Sequence, residues 1–194
     1  MIIIGLTGSI GMGKTTTAAM FEKHGVPTIS ADDIVHKLYE NEAVSLIENL
    51  LPGTTKNGVV DRLALSAELM KDPSAFKKLN ALIHPLVRQK QDEFISVHKS
   101  KNTELVLLDI PLLFETGAEA RVDTIIVVSC DAAIQKKRVL ARPNMSVEKF
   151  ELIVSKQMPD AQKRALADHI VDTSHDLEHS EAQVVAIIEL LRHS

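Results

Sequence analysis

Residues 8 to 15 read GSIGMGKT, so Gly8, Gly11, Gly13, Lys14 and Thr15 fill the pattern G-x-x-x-x-G-K-[ST]. Glycine weakens helices and strands alike, so this crowding needs a reason. The stretch follows the apolar run Met1 to Ile4. It precedes TTTAAMFEKHG, a helix pattern with Ala18, Ala19 and Phe21 on one side and Gly25 as its stop. A strand, a glycine-rich turn and a helix in that order gather successive backbone N–H groups around one hollow at a positive helix terminus. Such a hollow accepts phosphate oxygens. Lys14 reaches the β- and γ-phosphates, the Thr15 hydroxyl ligates Mg²⁺, Thr16 adds a hydroxyl or backbone contact, and Met12 supplies only its backbone. Charge-assisted bonds of this kind are worth about 1.5–3 kcal/mol each, so several together hold a nucleoside triphosphate. A glycine-rich turn without a ligand is the plainer alternative, and the full pattern in its strand–helix context argues against it.

Beyond the loop, short apolar strands alternate with helices. VPTIS is a second strand, ELVLLDI a third ending at Asp109, VDTIIVVSC a fourth and DHIVDTS a last. Continuous apolar runs suit strands covered on both faces, so the pattern predicts an α/β fold with a parallel sheet. The mostly helical stretch between strands two and three reads as an insertion, with LPGTTKNG and KDP as breaks and Pro85 starting a new helix. EAQVVAIIELLRHS closes the chain, with Val184, Val185, Ile187, Ile188 and Leu191 inward.

Composition excludes several classes. With 194 residues and 45% hydrophobic content the chain suits one globular unit. Its net charge of −4 and 3% aromatics show neither the basic surface nor the stacking residues of a nucleic-acid binder. The lone Cys130 follows TIIVVS and reads as a buried, inert thiol. No apolar run reaches the length of a membrane span, and no signal peptide is evident, so a cytoplasmic location is expected.

The glycine loop alone does not separate a kinase from a switch or a motor. A guanine reader is expected to carry [NT]-K-x-D after a strand, and TKNG at 55 to 58 lacks the Asp. A small kinase needs an acid for the acceptor hydroxyl, cations for the acceptor, and cations over the moving phosphoryl. Asp32, with Asp33, follows the second strand, where ligands of parallel sheets bind; helix N-capping is its other reading, as for Ser30. Asp109 ends a strand as a Mg²⁺-shell acid would, or caps the helix beyond it. His84 and Arg88 are four apart and share a face of the helix starting at Pro85, Arg88 suiting a substrate phosphate. His84 reads equally as a cap before that proline. Arg138 and Arg142, also four apart, either fold over the phosphates or belong to a solvated helix face. The spacing of His175 and His179 reads as a surface helix rather than a metal site.

Taken together these motifs resemble the dephospho-CoA kinase family. LTGSIGMGKT stands for the family's opening loop, SAD at 30 to 32 for its D-A-D, and HPLVR for its H-P-x-[IV]-R. DIPLLFE at 109 to 115 and QKKRVLAR follow, then Gln157 and ADHIVDTS, all in the family's order. The resemblance implies a P-loop kinase with a five-stranded parallel sheet. It implies a core over 1–33, 104–137 and 163–194, an inserted helical CoA-binding subdomain over 34–103 and a lid over 138–162, one unit across 1–194. It implies ATP and Mg²⁺ as cofactors and 3′-dephospho-CoA as the small-molecule acceptor. No nucleic acid or membrane partner is expected, and the chain is expected to be a monomer or weak homo-oligomer. Asp32 aligns with the catalytic aspartate, His84 and Arg88 with acceptor-side residues, and Arg138 and Arg142 with lid arginines; Lys14 completes the catalytic set, and Thr15 and Asp109 the metal set. A nucleoside monophosphate kinase on the same core and a non-enzymatic nucleotide switch are the rival readings.

The chain also departs from the family pattern. Ser30 replaces the first Asp of D-A-D, and His36 stands where Arg is frequent, which predicts weaker acceptor binding. RPNM replaces a glycine-containing lid turn. Thr173-Ser174 stands for Asn-Gly, where serine is expected to resist the backbone geometry that glycine allows.

Overall fold

The computed structural model of the chain describes residues 1–193. Its elements run β1 (Ile2–Thr7), α1 (Lys14–Lys23), β2 (Thr28–Ser30), α2 (Ala31–Glu40), α3 (Val44–Leu50), β3 (Thr55–Lys56), β4 (Val59–Val60), α4 (Arg62–Lys71) and α5 (Pro73–Ser100). There follow β5 (Leu105–Asp109), a 3₁₀ turn (Ala118–Arg121), β6 (Thr124–Ser129), α6 (Ala132–Leu140), α7 (Val147–Ser155), α8 (Asp160–Ala165), β7 (His169–Asp172) and α9 (Leu177–Arg192). The closing helix is thus described to Arg192, and Ser194, the end of the expected 163–194 segment, lies outside the described residues. Two compact units emerge, Met1–Thr28 with His98–Ser194, and Ile29–Val97.

The first unit is built on a five-stranded parallel sheet of order β2-β5-β1-β6-β7. The β-branched and leucine-rich runs explain it: all of β5 and nearly all of β6 are buried, as strands covered on both faces must be. Ile4, Leu6, Phe21, Leu107, Ile126, Val128, Val171 and Val184 form one core, each large side chain contributing about 1.5–3 kcal/mol by burial. Helix α1 turns Thr17, Ala18, Met20 and Phe21 inward; Ala19, expected on that face, is exposed, and Val185 of α9 is only half-buried. Register places Leu6 opposite Asp109 and Ser129 opposite Asp172. Parallel strands end at one edge, so the glycine loop, Asp109, Cys130 and Thr173 emerge together there.

The second unit is a helical cluster around Ile34, Leu38, Ile47, Leu65, Leu79 and Ile83. Its caps are legible: the Ser30 hydroxyl accepts the Asp33 N–H at 3.3 Å, and Asp61 accepts the Leu63 and Ala64 N–H groups. The break TKNG is more than a turn. Asn57 and Gly58 take φ of 53° and 78°, and the flanking residues pair as the β3–β4 hairpin. Helix α5 corrects the reading at Pro85. It runs 28 residues straight through that proline. The proline removes one backbone bond, to the carbonyl of Ala81. Both residues lie on the exposed side, where solvent can reach that carbonyl, while Leu79 and Ile83 hold the opposite face in the core. His84 is therefore a mid-helix residue and not a cap.

Candidate active site

The glycine loop follows β1 directly. A Cβ on Gly8 would lie 2.6 Å from the Val128 carbonyl oxygen, so only glycine lets the loop cross β6 this closely. Gly13 is the N-cap of α1 at φ 96°, and no side chain caps that helix. The first N–H to bond back is that of Thr17, to the Gly13 carbonyl at 3.0 Å. The N–H groups of Lys14, Thr15 and Thr16 thus have no helical acceptor, the condition under which a helix start can receive an anion. Inside the loop, the Met12 N–H bonds Ser9 O at 3.2 Å and the Ile10 N–H bonds Gln157 Oε1 at 3.1 Å. Met12 does more than supply backbone. Its side chain is buried, and Sδ accepts the Cys130 N–H at 3.2 Å and the Cys130 thiol at 3.4 Å. Burial pushes the Cys130 thiol pKa up, as an inert core thiol requires.

Lys14 reaches toward β5, where Nζ donates to Asp109 Oδ1 at 2.6 Å; Asp109 is 5% exposed. On the other side of the loop a pocket of about 310 Å³ is lined by Gly11, Gly13, Thr16, Arg138, Arg142 and Thr173, among others. Both candidate lid arginines reach it, by different routes. Arg138 lies in α6 and donates NH1 to Thr173 Oγ1 at 3.0 Å and NH2 to the Thr173 carbonyl at 2.7 Å. Arg142 lies beyond the end of α6 at Leu140, exposed in the turn before Pro143, so the two do not share one helix face. Asn144 takes φ 58° in that turn, supplying the left-handed residue that glycine would otherwise provide. Ser174 has no positive φ, so the feared strain at Thr173-Ser174 is absent.

The acceptor-side candidates belong to the helical unit. Asp32 is exposed in the first turn of α2, and the cap role falls to Ser30. His84 and Arg88 stand one turn apart on α5, with His84 half-buried. Burial, and then the Arg88 guanidinium, lower the His84 pKa from its ordinary 6.5. His36 is tied to Arg62, whose NH2 lies 2.6 Å from Nδ1, and Arg62 in turn stands 5.7 Å over the Tyr39 ring. A guanidinium is therefore present beside His36, carried by a different residue.

The sequence reading missed the residues that brace the loop. Gln135 Nε2 donates to the Ile10 carbonyl at 2.8 Å, and Thr173 Oγ1 donates to the Met12 carbonyl at 2.7 Å. It also missed what the PLLFE glutamate does. Glu115 accepts the Met158 N–H at 2.7 Å and lies 2.9 Å from Lys163 Nζ, which is wholly buried. That last contact is an ion pair by distance, without good hydrogen-bond geometry. Burial raises the Glu115 pKa, but Lys163 and the Met158 N–H outweigh it and hold the carboxyl below its ordinary range. Only the quoted strings around these residues signalled them.

Among the described residues no three His, Cys, Asp or Glu side chains gather as a metal cluster. A cation at the loop would rest on the oxygens of Thr15 and Asp109 and on phosphates, a hard-donor set that fits Mg²⁺. No helix among the described residues is long and apolar enough to cross a membrane.

An uncapped helix end wrapped by glycines at the carboxyl edge of a parallel sheet is the phosphate-binding arrangement of P-loop proteins, kinases among them. Their shared fold extends to shikimate kinase from Bacteroides thetaiotaomicron, with TM-score 0.54 at 16% identity and 98% of both chains covered. The match to one family is far closer. The dephospho-CoA kinase family model matches residues 2–179. Dephospho-CoA kinase of Rhizobium meliloti (strain 1021) is 52% identical over 192 residues, 99% of each chain. That of Agrobacterium fabrum is 53% identical over 98% of each. The solved dephospho-CoA kinase from Campylobacter jejuni superposes with TM-score 0.76 at 26% identity, covering 98% of this chain and 97% of that one. The chain belongs to the dephospho-CoA kinase family. It is accordingly a kinase, a transferase that uses ATP on a small-molecule alcohol.

Proposed function

We propose that this chain transfers the γ-phosphate of ATP to the ribose 3′-hydroxyl of 3′-dephospho-CoA, giving CoA and ADP, in the cytoplasm. The observation that carries the reading is the uncapped N-terminus of α1, with Lys14 on one side and Arg138 and Arg142 on the pocket at the other. Family membership supports the choice of acceptor.

In this reading the amides of Gly11 and of Gly13 to Thr16, with the Lys14 ammonium, hold the β- and γ-phosphoryl oxygens. Thr15 and Asp109 would hold Mg²⁺, which when bound neutralises charge on the triphosphate. Asp32 orients the 3′-hydroxyl or takes its proton. Arg138 and Arg142 balance the charge on the transferring phosphoryl, an effect worth 10³–10⁵ in rate, about 4–7 kcal/mol, where an arginine is well placed. The segment 34–103 binds the acceptor through His84 and Arg88, and 138–162 serves as the lid. A neutral, half-buried His84 beside a permanent cation suits a phosphate-bearing acceptor: Arg88 supplies charge and His84 a hydrogen bond.

ADP release with ATP and Mg²⁺ tests this, comparing 3′-dephospho-CoA, AMP, UMP and no acceptor. Stimulation by 3′-dephospho-CoA alone, with CoA as product, is the expected result. Stimulation by a monophosphate instead would overturn the acceptor assignment.

A further inference from the structure

The loop's carbonyls, rather than its amides, carry a second layer of order. In a trans peptide the C=O and the N–H point in opposite directions, and no peptide bond here is cis. The Ile10 carbonyl shares its peptide with the Gly11 N–H, and the Met12 carbonyl shares its peptide with the Gly13 N–H. Gln135 Nε2 holds the first carbonyl at 2.8 Å and Thr173 Oγ1 holds the second at 2.7 Å. Gln135 comes from α6, after β6, and Thr173 follows β7. Both anchors therefore pull from the β6–β7 side of the sheet. The two N–H groups therefore face away from these anchors; the Lys14–Asp109 pair stands on the opposite, β5 side of β1.

We infer that Thr173 and Gln135 are positioning residues which aim the Gly13 and Gly11 N–H groups at the polyphosphate, an inference resting on the phosphate-site reading above. The arrangement suits the task. Both residues are buried, so neither anchor is shared with bulk water. The Thr173 hydroxyl donates to Met12 while accepting from the Arg138 guanidinium, which polarises its proton toward the carbonyl. Gly11 and Gly13 have φ of 80° and 96° and no side chain of their own, so backbone sterics constrain their peptides little. The Met12 side chain, locked onto Cys130, holds the peptide between the anchors in place.

The test compares wild type, Thr173→Ser and Thr173→Val by calorimetric titration with ATP and with ADP, alongside the amide resonances of Gly11 and Gly13. Valine keeps the shape and loses the hydroxyl. It should weaken both nucleotides about tenfold, the scale of one misaimed charge-assisted bond, and shrink the ATP-induced shift of the Gly13 amide. Serine keeps the donor and should stay within about twofold of wild type. If the valine chain does not fold, Gln135→Met reads the other anchor, and the Gly11 amide should lose its shift. Wild type that binds ATP with valine and methionine variants within twofold of it overturns the inference alone, as does serine losing as much as valine. Wild type that binds neither nucleotide overturns the phosphate-site reading and this inference with it.

Discussion

At the scale of single residues, the assigned chemistry rests on groups whose loss has separable signatures. Asp32→Asn should cut kcat at least about a hundredfold, the low end for proton transfer by a positioned base, with ATP affinity little changed. Near-normal turnover would remove Asp32 from the mechanism. His84 gives a pH signature. Its folded-state pKa lies below 6.5, held down by burial and then by Arg88. The unfolded chain therefore binds more protons as pH falls through 6.5, and stability drops there; above 6.5 both states are neutral at this site and the contribution is whole. Melting curves from about pH 5 to 8 should show wild type losing stability toward acid relative to His84→Gln. Parallel profiles would contradict the lowered pKa.

At the scale of elements, the sharpest lesson is α5. A proline usually ends a helix, and here an apolar stripe over Leu79 and Ile83 outweighs one lost backbone bond on the wet face. The stretch after β5 carries a second lesson. Glu115 ties the segment leaving α7 to the PLLFE turn through the Met158 N–H and the buried Lys163. Glu115→Gln keeps the shape but leaves Lys163 charged and uncompensated in the interior. It should cost about 3 kcal/mol in denaturant unfolding, the low end for breaking a buried pair. Adding Lys163→Met should restore most of that loss. An unchanged midpoint for Glu115→Gln would show that the pair contributes nothing net.

At the scale of the whole molecule, ligand binding and stability are linked. ATP at a hundred times its dissociation constant should add about 2.7 kcal/mol to the unfolding free energy. Lys14→Ala should abolish most of that increment and lower the rate with it. A Lys14→Ala chain stabilised by ATP as well as wild type would place the triphosphate elsewhere.

How much of this was legible beforehand depended on whether the signal was local. The glycine pattern, the apolar strand runs and the ordered strings HPLVR and DIPLLFE are contiguous, so the strand–loop–helix unit, the parallel sheet and the family could be read from neighbours along the chain. The break at TKNG was legible too, because asparagine and glycine carry their backbone freedom with them, whereas the left-handed Asn144 of RPNM was not read. What only the tertiary structure decided were long-range pairings. The route of α5 past Pro85 depended on which face the core would claim. Arg138 turned to Thr173, and Met12 to Cys130, because the parallel sheet brings the ends of β1, β6 and β7 to one edge. A hydrogen bond between residues 161 positions apart, as from Thr173 to Met12, leaves no periodic trace in either segment. Sequence patterns record the demands of local geometry and of one buried face; which polar atom meets which is settled only when the faces close.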